Sequence, residues 1–248
     1  MDMKADEQEI KLILRQIADV LLINGGFLNN PGLYTGEMGL VLFFARYARF
    51  TQNDLYMDYA FGLVEKIQRR IHQDTPINYK NGLTGIGSAI EYLVQNSFFE
   101  ADTDEILDDF DRLIYFTYNI PYLPIEDMID IRYYIHWRLS GNSMQKEKIQ
   151  RFILPQIEKV MRDKSVNPAL ILPNLKTKPA GFDEKTSVHC QEFIAKNNFW
   201  NEDLGLQDGL AGWGLSLLTE IDGDDTWFQL LPVNSKETHP CKPLTVNH

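Results

Sequence analysis

The sequence is organised around residues 205–218, which are GLQDGLAGWGLSLL. Asp208 belongs to the residue types that cap helix N-termini, because its side chain can accept hydrogen bonds from the first free backbone N–H groups. Gly209 and Gly212 follow three residues apart, so they share one face of the helix that the pattern predicts. Glycine in a helix costs about 1 kcal/mol relative to alanine. The pair therefore indicates that a neighbouring backbone or a ligand needs the space.

The same pattern occurs twice more, at residues 35–44 and 81–90, where Thr35 and Asn81 are the capping residue types. The glycine pairs of the three copies are Gly36 and Gly39, Gly82 and Gly85, and Gly209 and Gly212. Such a repeat predicts stacked helical hairpins that bury their apolar faces against one another. We expect an inner helix to begin near the first glycine of each pair. The second glycine should lie where an adjacent backbone comes close.

The segments between the repeats have apolar residues at helical spacing but carry charge on one side, as in EKIQRR at residues 65–70. Besides the three repeat helices, helices are predicted at about residues 7–22, 54–72, 102–118, 127–137, 144–163 and 184–195. Convincing β alternation is absent from the sequence. The chain is therefore predicted to be all-α, with apolar inner helices alternating with amphipathic outer helices, which is the arrangement of an α/α toroid.

The bulk composition fits one domain over residues 1–248, with an irregular C-terminal segment at 221–248. The formal net charge of −11 argues against nucleic acid or an anionic membrane surface as the main partner. No apolar run is long enough to span a membrane, and the acidic N-terminus does not resemble a secretory signal. Two cysteines do not make a disulfide framework. We therefore expect a cytoplasmic protein.

Residues 32–39, 82–87 and 205–218 resemble the repeats of lanthionine synthetase C-like proteins, and the third stretch is the most specific. The resemblance implies a toroid of seven inner helices. It also implies a zinc-dependent addition of a cysteine thiol to a dehydrated serine or threonine of a precursor peptide. Gly36 and Gly82 are 46 residues apart, whereas Gly82 and Gly209 are 127 apart, which leaves room for about two repeats without glycines. We expect a toroid that is reduced or incomplete relative to seven repeats.

The resemblance also says where zinc ligands would stand. In the family they come from Cys-Tyr-Gly and Cys-His-Gly sequences placed against the first repeat glycine, and zinc suits thiolate and imidazole ligands. The corresponding pairs here are Tyr34-Thr35, Lys80-Asn81 and Gln207-Asp208, and none is a Cys/His pair. The remaining candidates are His136, His189 and Cys190, whose spacing does not require them to converge. We therefore expect no zinc, no other cofactor and no catalytic residues, which argues against cyclase activity.

The residues at the starts of the inner helices are candidates for the mouth of a pocket. They are Tyr34, Thr35, Glu37, Asn81, Thr84, Gln207 and Asp208. The capping role alone would explain Asp208, and Glu37 could either face the pocket or favour the helix dipole. The sequence DGDD at residues 222–225 lacks the glutamate of a calcium loop and predicts a turn.

Three classes of function remain open. The first is a divergent relative of the cyclases that binds or positions a peptide in ribosomal peptide modification, with a precursor peptide or a maturation enzyme as its partner. The second is a carbohydrate-active α/α-toroid enzyme of the glycosidase or epimerase type, which would need paired carboxylates. The third is a non-catalytic protein-interaction module. Two inward carboxylates at the open end would favour the second class over the other two.

Overall fold

The computed structural model describes the backbone of residues 3–118, 123–166 and 204–231, and the side chains of residues 7–114, 123–166 and 204–231. Within these ranges the structure is helical and contains no strand. The α-helices are α1 (Met3–Asn24), α2 (Glu37–Thr51), α3 (Asp54–Gln68), α4 (Leu83–Gln95), α5 (Thr103–Ile106), α6 (Asp108–Tyr118), α7 (Ile125–Ser140), α8 (Lys146–Lys148), α9 (Leu154–Asp163) and α10 (Leu210–Asp222). A π-helical turn (Ile149–Ile153) joins α8 to α9, and two 3₁₀ turns lie at Gly25–Phe27 and Thr226–Leu230.

The inner layer contains the three helices that the glycine repeats predict. Helices α2, α4 and α10 each begin at the residue after the first repeat glycine, as expected. Each is buried over most of its length, through Ala48 in α2, Leu93 in α4 and Leu218 in α10. A helix that is apolar on all sides can be stable only when neighbours cover it on every side. These helices therefore form the centre of the array.

The order of the inner helices brings the first and last repeats together. Helix α2 packs against α10 on one side and α4 on the other, and α4 packs against α7. Small residues allow these close contacts, since a Cβ atom at Gly214 would meet the Phe43 ring and one at Gly87 would meet the Tyr134 ring. Helix α7 lacks the glycine pair yet continues the inner layer beside α4. It is thus one of the glycine-free repeats that the spacing predicts.

The outer layer covers this row of helices. Helix α3 packs on α2, α6 on α4, α9 on α7 and α1 on α10. Along α3 only Ala60, Leu63 and Ile67 are buried, which is the one-sided burial expected of an outer amphipathic helix. The described part of the chain is therefore an all-α, toroid-like array of inner and outer helices.

The second glycine of each repeat faces a backbone carbonyl group. A Cβ atom built at any of these glycines would overlap or crowd the carbonyl oxygen of the residue six positions earlier. The glycines are Gly39, Gly85 and Gly212, and the oxygens belong to Leu33, Tyr79 and Leu206. The loop before each inner helix therefore folds back across the first turn, and only a residue without a side chain leaves room for it.

An ion pair joins the C-terminal parts of α2 and α10. The Arg46 guanidinium donates to both carboxylate oxygens of Asp222, at 2.9 and 2.8 Å, and to Thr219 Oγ1 at 3.2 Å. Helix α10 ends at Gly223, whose φ of 73° lies in the left-handed region that favours glycine. The acidic sequence at residues 222–225 is therefore a turn that ends α10.

Several element boundaries differ from the predicted ones. Helix α3 ends at Gln68 because its last turn tightens, with the Arg70 N–H donating to the Ile67 carbonyl group at 2.9 Å. The predicted helix at residues 102–118 is divided at Leu107 into α5 and α6. The helix predicted at 184–195 and residues 232–248 of the predicted irregular segment lie outside the described residues. In the part of the chain that is described, no helix has the length and apolarity needed to cross a membrane.

Candidate functional site

The loops that precede the three repeat helices lie side by side at one end of the inner layer. We call this the repeat end, and it comprises residues 28–36, 76–82 and 204–209. The Tyr34 N–H donates to the Lys80 carbonyl group at 2.8 Å. The Tyr34 carbonyl group accepts from the N–H groups of Leu206, at 2.7 Å, and Gln207, at 2.9 Å. The first-repeat loop therefore lies between the other two and is bonded to both.

The prediction that Thr35, Asn81 and Asp208 cap the helices is wrong. The N-cap residues are the glycines that follow them, and none of these caps has a side-chain hydrogen bond. Backbone carbonyl groups of the preceding loops take the free N–H groups instead. The Glu37 N–H donates to Asn30 at 2.9 Å, and the Leu83 N–H donates to Pro76 at 2.8 Å. Because the loops themselves satisfy the helix starts, the side chains of Thr35 and Asn81 are available for other contacts.

Asn81 joins the first two repeats through its side chain. Its Oδ1 atom accepts hydrogen bonds from Thr35 Oγ1 at 2.9 Å, from the Thr35 N–H at 3.4 Å and from Asn30 Nδ2 at 3.2 Å. Asn30 Nδ2 also donates to Thr35 Oγ1 at 2.9 Å. We call this set of contacts the Asn81 clasp. It fixes the spacing of the first two loops at the repeat end.

Three tyrosines and a carboxylate lie beside the clasp. The Tyr79 ring makes edge contacts with the rings of Tyr34 and Tyr133, at centroid distances of 6.4 and 5.7 Å. The Tyr79 N–H donates to Asp130 Oδ2 at 2.8 Å, which brings the carboxylate of α7 to the start of α4. The rings are buried and Asp130 is half-buried. We call these four residues the tyrosine–aspartate cluster.

Burial controls the titration of this cluster. It raises the pKa of Asp130 to about 6, because water hydrates the charged carboxylate poorly at this half-buried position. The neighbouring Asp127 raises this pKa further, whereas the Tyr79 N–H and Lys80 lower it. Burial also raises the pKa values of Tyr34, Tyr79 and Tyr133, so these phenols stay neutral near pH 7. The cluster is thus a carboxylate of reduced hydration beside neutral aromatic rings.

Comparison with known protein families agrees with the repeats. Residues 28–120 match the model of the family described as lanthionine synthetase C-like protein. This region is lanthionine synthetase C-like. The match covers the first two glycine repeats, and the third repeat, outside the matched residues, packs against the first. Comparisons with curated proteins and with solved structures give no match.

The positions that the sequence resemblance aligns with zinc ligands are occupied by the clasp and its neighbours. Thr35 and Asn81 bond to each other across the two repeats. Tyr34 is buried in the tyrosine–aspartate cluster. Gln207 is half-buried, and Asp208 is exposed with a left-handed φ of 57°. Among the described residues, no group of three or more His, Cys, Asp or Glu side chains has a metal-binding arrangement.

The candidate ligands outside the repeats are divided by the described ranges. His136 lies on α7, where its ring makes an edge contact with Trp137 at a centroid distance of 6.4 Å. Burial lowers the pKa of His136, and the nearby Arg132 lowers it further. His136 is therefore mostly neutral at pH 7. His189 and Cys190 lie outside the described residues.

Two of the predicted pocket residues have partners away from the other mouth residues. Glu37 is fully buried and faces α3 and the residues just after it, where Lys66 Nζ lies 2.6 Å from Glu37 Oε1 and Arg70 contacts Oε2. Thr84 is also fully buried, and its Oγ1 donates to the Ile77 carbonyl group at 2.6 Å. Both side chains hold the repeat together. Thr35, Asn81 and the Tyr34 backbone, in contrast, join different repeats to one another at the repeat end.

A buried ion cluster links the inner and outer layers farther along α4. Arg138 of α7 is fully buried and contacts three carboxylates, those of Glu91 at 2.5 Å, Asp104 at 2.6 Å and Asp111 at 2.8 Å. The Tyr134 hydroxyl donates to Asp111 at 2.6 Å. These partners raise the pKa of Arg138, so its charge is permanent. The cluster fastens α4, α5, α6 and α7 together.

Sequence reasoning missed the Arg138 cluster and, apart from Tyr34, the tyrosine–aspartate cluster. Tyr79, Asp130 and Arg138 are not part of the glycine repeat and match no spacing rule. A weak signal was present in the charged residues Asp130 and Arg138, which interrupt the apolar stretch of α7. A charge within a helix that packs on several sides requires a partner.

Proposed function

We propose that the protein binds a peptide at the repeat end and acts in ribosomal peptide modification without zinc-dependent cyclisation. The observation that carries the proposal is the Asn81 clasp. In the family that residues 28–120 match, the residues before the repeat glycines supply metal ligands. Here Thr35 and Asn81 hold two repeats together at those positions. The partner is a precursor peptide, alone or with its maturation enzyme.

The tyrosine–aspartate cluster supports a peptide with basic side chains as the ligand. Asp130 has lost part of its hydration and accepts one backbone hydrogen bond through Oδ2. A lysine or arginine side chain would offset that loss with a charge-assisted hydrogen bond. The adjacent tyrosine rings are buried, so the ligand's cation would contact the half-buried Asp130 carboxylate itself. The net charge of −11 would attract a basic peptide over a longer range.

The buried carboxylates do not favour the carbohydrate-active alternative. A glycosidase needs two carboxyl groups facing one cleft. Glu37 is held by Lys66 and Arg70, and Glu91 and Asp111 share Arg138. Each of these carboxylates thus faces a cation between helix layers, which supports a structural role.

Peptide binding can be tested by fluorescence anisotropy with a labelled peptide rich in lysine and phenylalanine. A matched peptide with glutamine at every lysine position is the control ligand. We expect Asp130→Asn to weaken binding of the lysine peptide by about tenfold, since a hydrogen bond to a charged group is worth about 1.5 kcal/mol or more. Asp163→Asn, at an exposed position on α9, should leave it unchanged. Equal binding of the two peptides, or no effect of Asp130→Asn, would contradict the proposed site.

The absence of cyclase chemistry needs separate tests. We expect less than one zinc per chain by elemental analysis of the purified protein. We also expect no acceleration of thiol addition to a dehydroalanine peptide in the presence of added zinc. A catalytic zinc requires about three protein ligands and one open position. One zinc per chain that is lost on replacing His189 and Cys190 together would restore the cyclase interpretation.

A further inference from the structure

A second surface of the molecule is positively charged, although the chain as a whole is acidic. Residues 146–164 contain six Lys or Arg and three Asp or Glu, a net charge of +3 in a protein of net charge −11. The buried side of this segment consists of Ile149, Ile153, Ile157 and Met161. Its exposed side includes Arg151, Lys159 and Arg162, together with Phe152, which is 62% exposed. We call this exposed side the basic face.

Ion pairs within the basic face do not cancel its charge. Arg151 lies 2.9 Å from Glu147, and Arg162 lies 3.5 Å from Glu158. Exposed pairs one helical turn apart contribute little energy and remain accessible to other charges. Because the segment has twice as many cations as anions, a positive surface remains.

An acidic surface adjoins the basic face. Residues 100–112 contain seven Asp or Glu and one Arg. The exposed carboxylates are those of Glu100, Asp102, Glu105, Asp108 and Asp109, and Asp109 pairs with Arg112. We call this surface, on α5 and α6, the acidic face. Like charges at this density repel one another, so a cationic partner would stabilise them.

Direct hydrogen bonds join the acidic face to the turn that leads into the basic segment. Asp104 of α5 accepts from Ser143 Oγ at 2.6 Å through Oδ1 and from the Met144 N–H at 2.6 Å through Oδ2. Met144 precedes the basic segment by two residues, and its side chain is 91% exposed. An exposed apolar side chain therefore lies at the boundary between the acidic and basic faces. Phe152 adds a second exposed apolar group within the basic face.

We propose that a second copy of this chain binds here and forms a two-fold symmetric dimer. A surface with an acidic half beside a basic half is complementary to itself after a two-fold rotation. With the axis near Met144, the basic face of each copy meets the acidic face of the other. Met144 then supplies apolar contact near the axis, where interface energy is concentrated, and Phe152 adds apolar contact within the basic face. An anionic membrane would instead be repelled by the acidic half.

Charge-swapped variants test this arrangement by sedimentation velocity. We expect the wild-type chain to dimerise at low ionic strength and to dissociate as salt is added. The variant Arg151→Glu with Lys159→Glu should be monomeric, and so should Asp108→Lys with Asp109→Lys. A two-fold dimer contains each contact twice, so each double variant places like charges opposite each other at two sites. Association should weaken on the order of a hundredfold or more. A mixture of the two variants should form a heterodimer, because all the charges are then complementary again.

Control variants separate docking from folding. Leu55→Glu, at a 72% exposed apolar position on α3, should leave dimerisation unchanged, whereas Met144→Glu should weaken it. Circular dichroism melts should show that every variant is folded. A wild-type chain that stays monomeric at low salt would overturn the proposal, as would a charge-swapped mixture without heterodimer. Binding of the monomer to phosphatidylserine vesicles through the basic face would also overturn the proposal.

Discussion

The glycine that meets the preceding loop in the third repeat gives a quantitative prediction. Replacing Gly212 with alanine adds one methyl group to α10, and that Cβ would overlap the Leu206 carbonyl oxygen and lie 3.0 Å from its carbonyl carbon. Overpacking of this kind costs about 1–3 kcal/mol. The helix propensity of alanine returns up to about 1 kcal/mol. We therefore expect Gly212→Ala to be about 1–2 kcal/mol less stable than the wild type.

The matched control is Gly62→Ala on α3. Gly62 also lies within a helix, but a Cβ atom there has no neighbour within 4 Å. This variant should therefore be about 0.5–1 kcal/mol more stable than the wild type, because alanine has the higher helix propensity and the added methyl group meets no neighbour. In thermal melts Gly212→Ala should lower Tm by about 2–8 °C, since 1 kcal/mol corresponds to about 2–4 °C at this size. Gly212→Leu should cost on the order of 2 kcal/mol or more. If Gly212→Ala raised Tm as Gly62→Ala does, the close approach would be refuted.

Three further predictions concern polar groups. Because its folded pKa of about 6 exceeds the ordinary aspartate value of 3.8, Asp130 contributes stability below about pH 4 that is lost as the pH rises to about 6. In urea unfolding, the free energy of unfolding of Asp130→Asn relative to the wild type should thus rise by up to about 3 kcal/mol between pH 4 and pH 7. A difference that does not change with pH would contradict this. Arg138→Met should cost about 3–5 kcal/mol because it leaves Glu91 buried without a cation, and adding Glu91→Gln should recover part of the loss. Asn81→Ala should cost about 1–3 kcal/mol, and Asn81→Asp less because it keeps the acceptor oxygen; equal costs would argue against the clasp.

The helix layout could be predicted from sequence because its signals are local. A glycine pair followed by an apolar run fixes where an inner helix starts, and the helices after Gly36, Gly82 and Gly209 begin at the next residue. The contrast between α2, buried on all sides, and α3, buried on one side, is visible in composition alone. Both features depend on residues within a few turns of one another.

The polar contacts could not be predicted in the same way, because they depend on packing between distant segments. Arg138 meets Glu91, which is 47 residues away, and Asp130 meets the Tyr79 N–H, which is 51 residues away. No spacing rule connects such positions until the helices are arranged in space. The capping error had a related origin. Asn81 has the chemistry of a cap, but the Pro76 carbonyl group already takes the helix N–H, a contact that only the folded loop reveals.

The Asn81 clasp also shows how the repeat end can be held together without a metal ion. A metal site needs ligands that converge on one ion, at about 2.0–2.3 Å from zinc, with space between them for the ion. Thr35 and Asn81 instead bond directly at 2.9 Å, so their polar groups satisfy each other. A clasp of this kind holds the two loops at a fixed spacing without any ion. The repeat end can therefore keep its shape without an ion, which is compatible with our proposal that a peptide binds at the adjacent tyrosine–aspartate cluster.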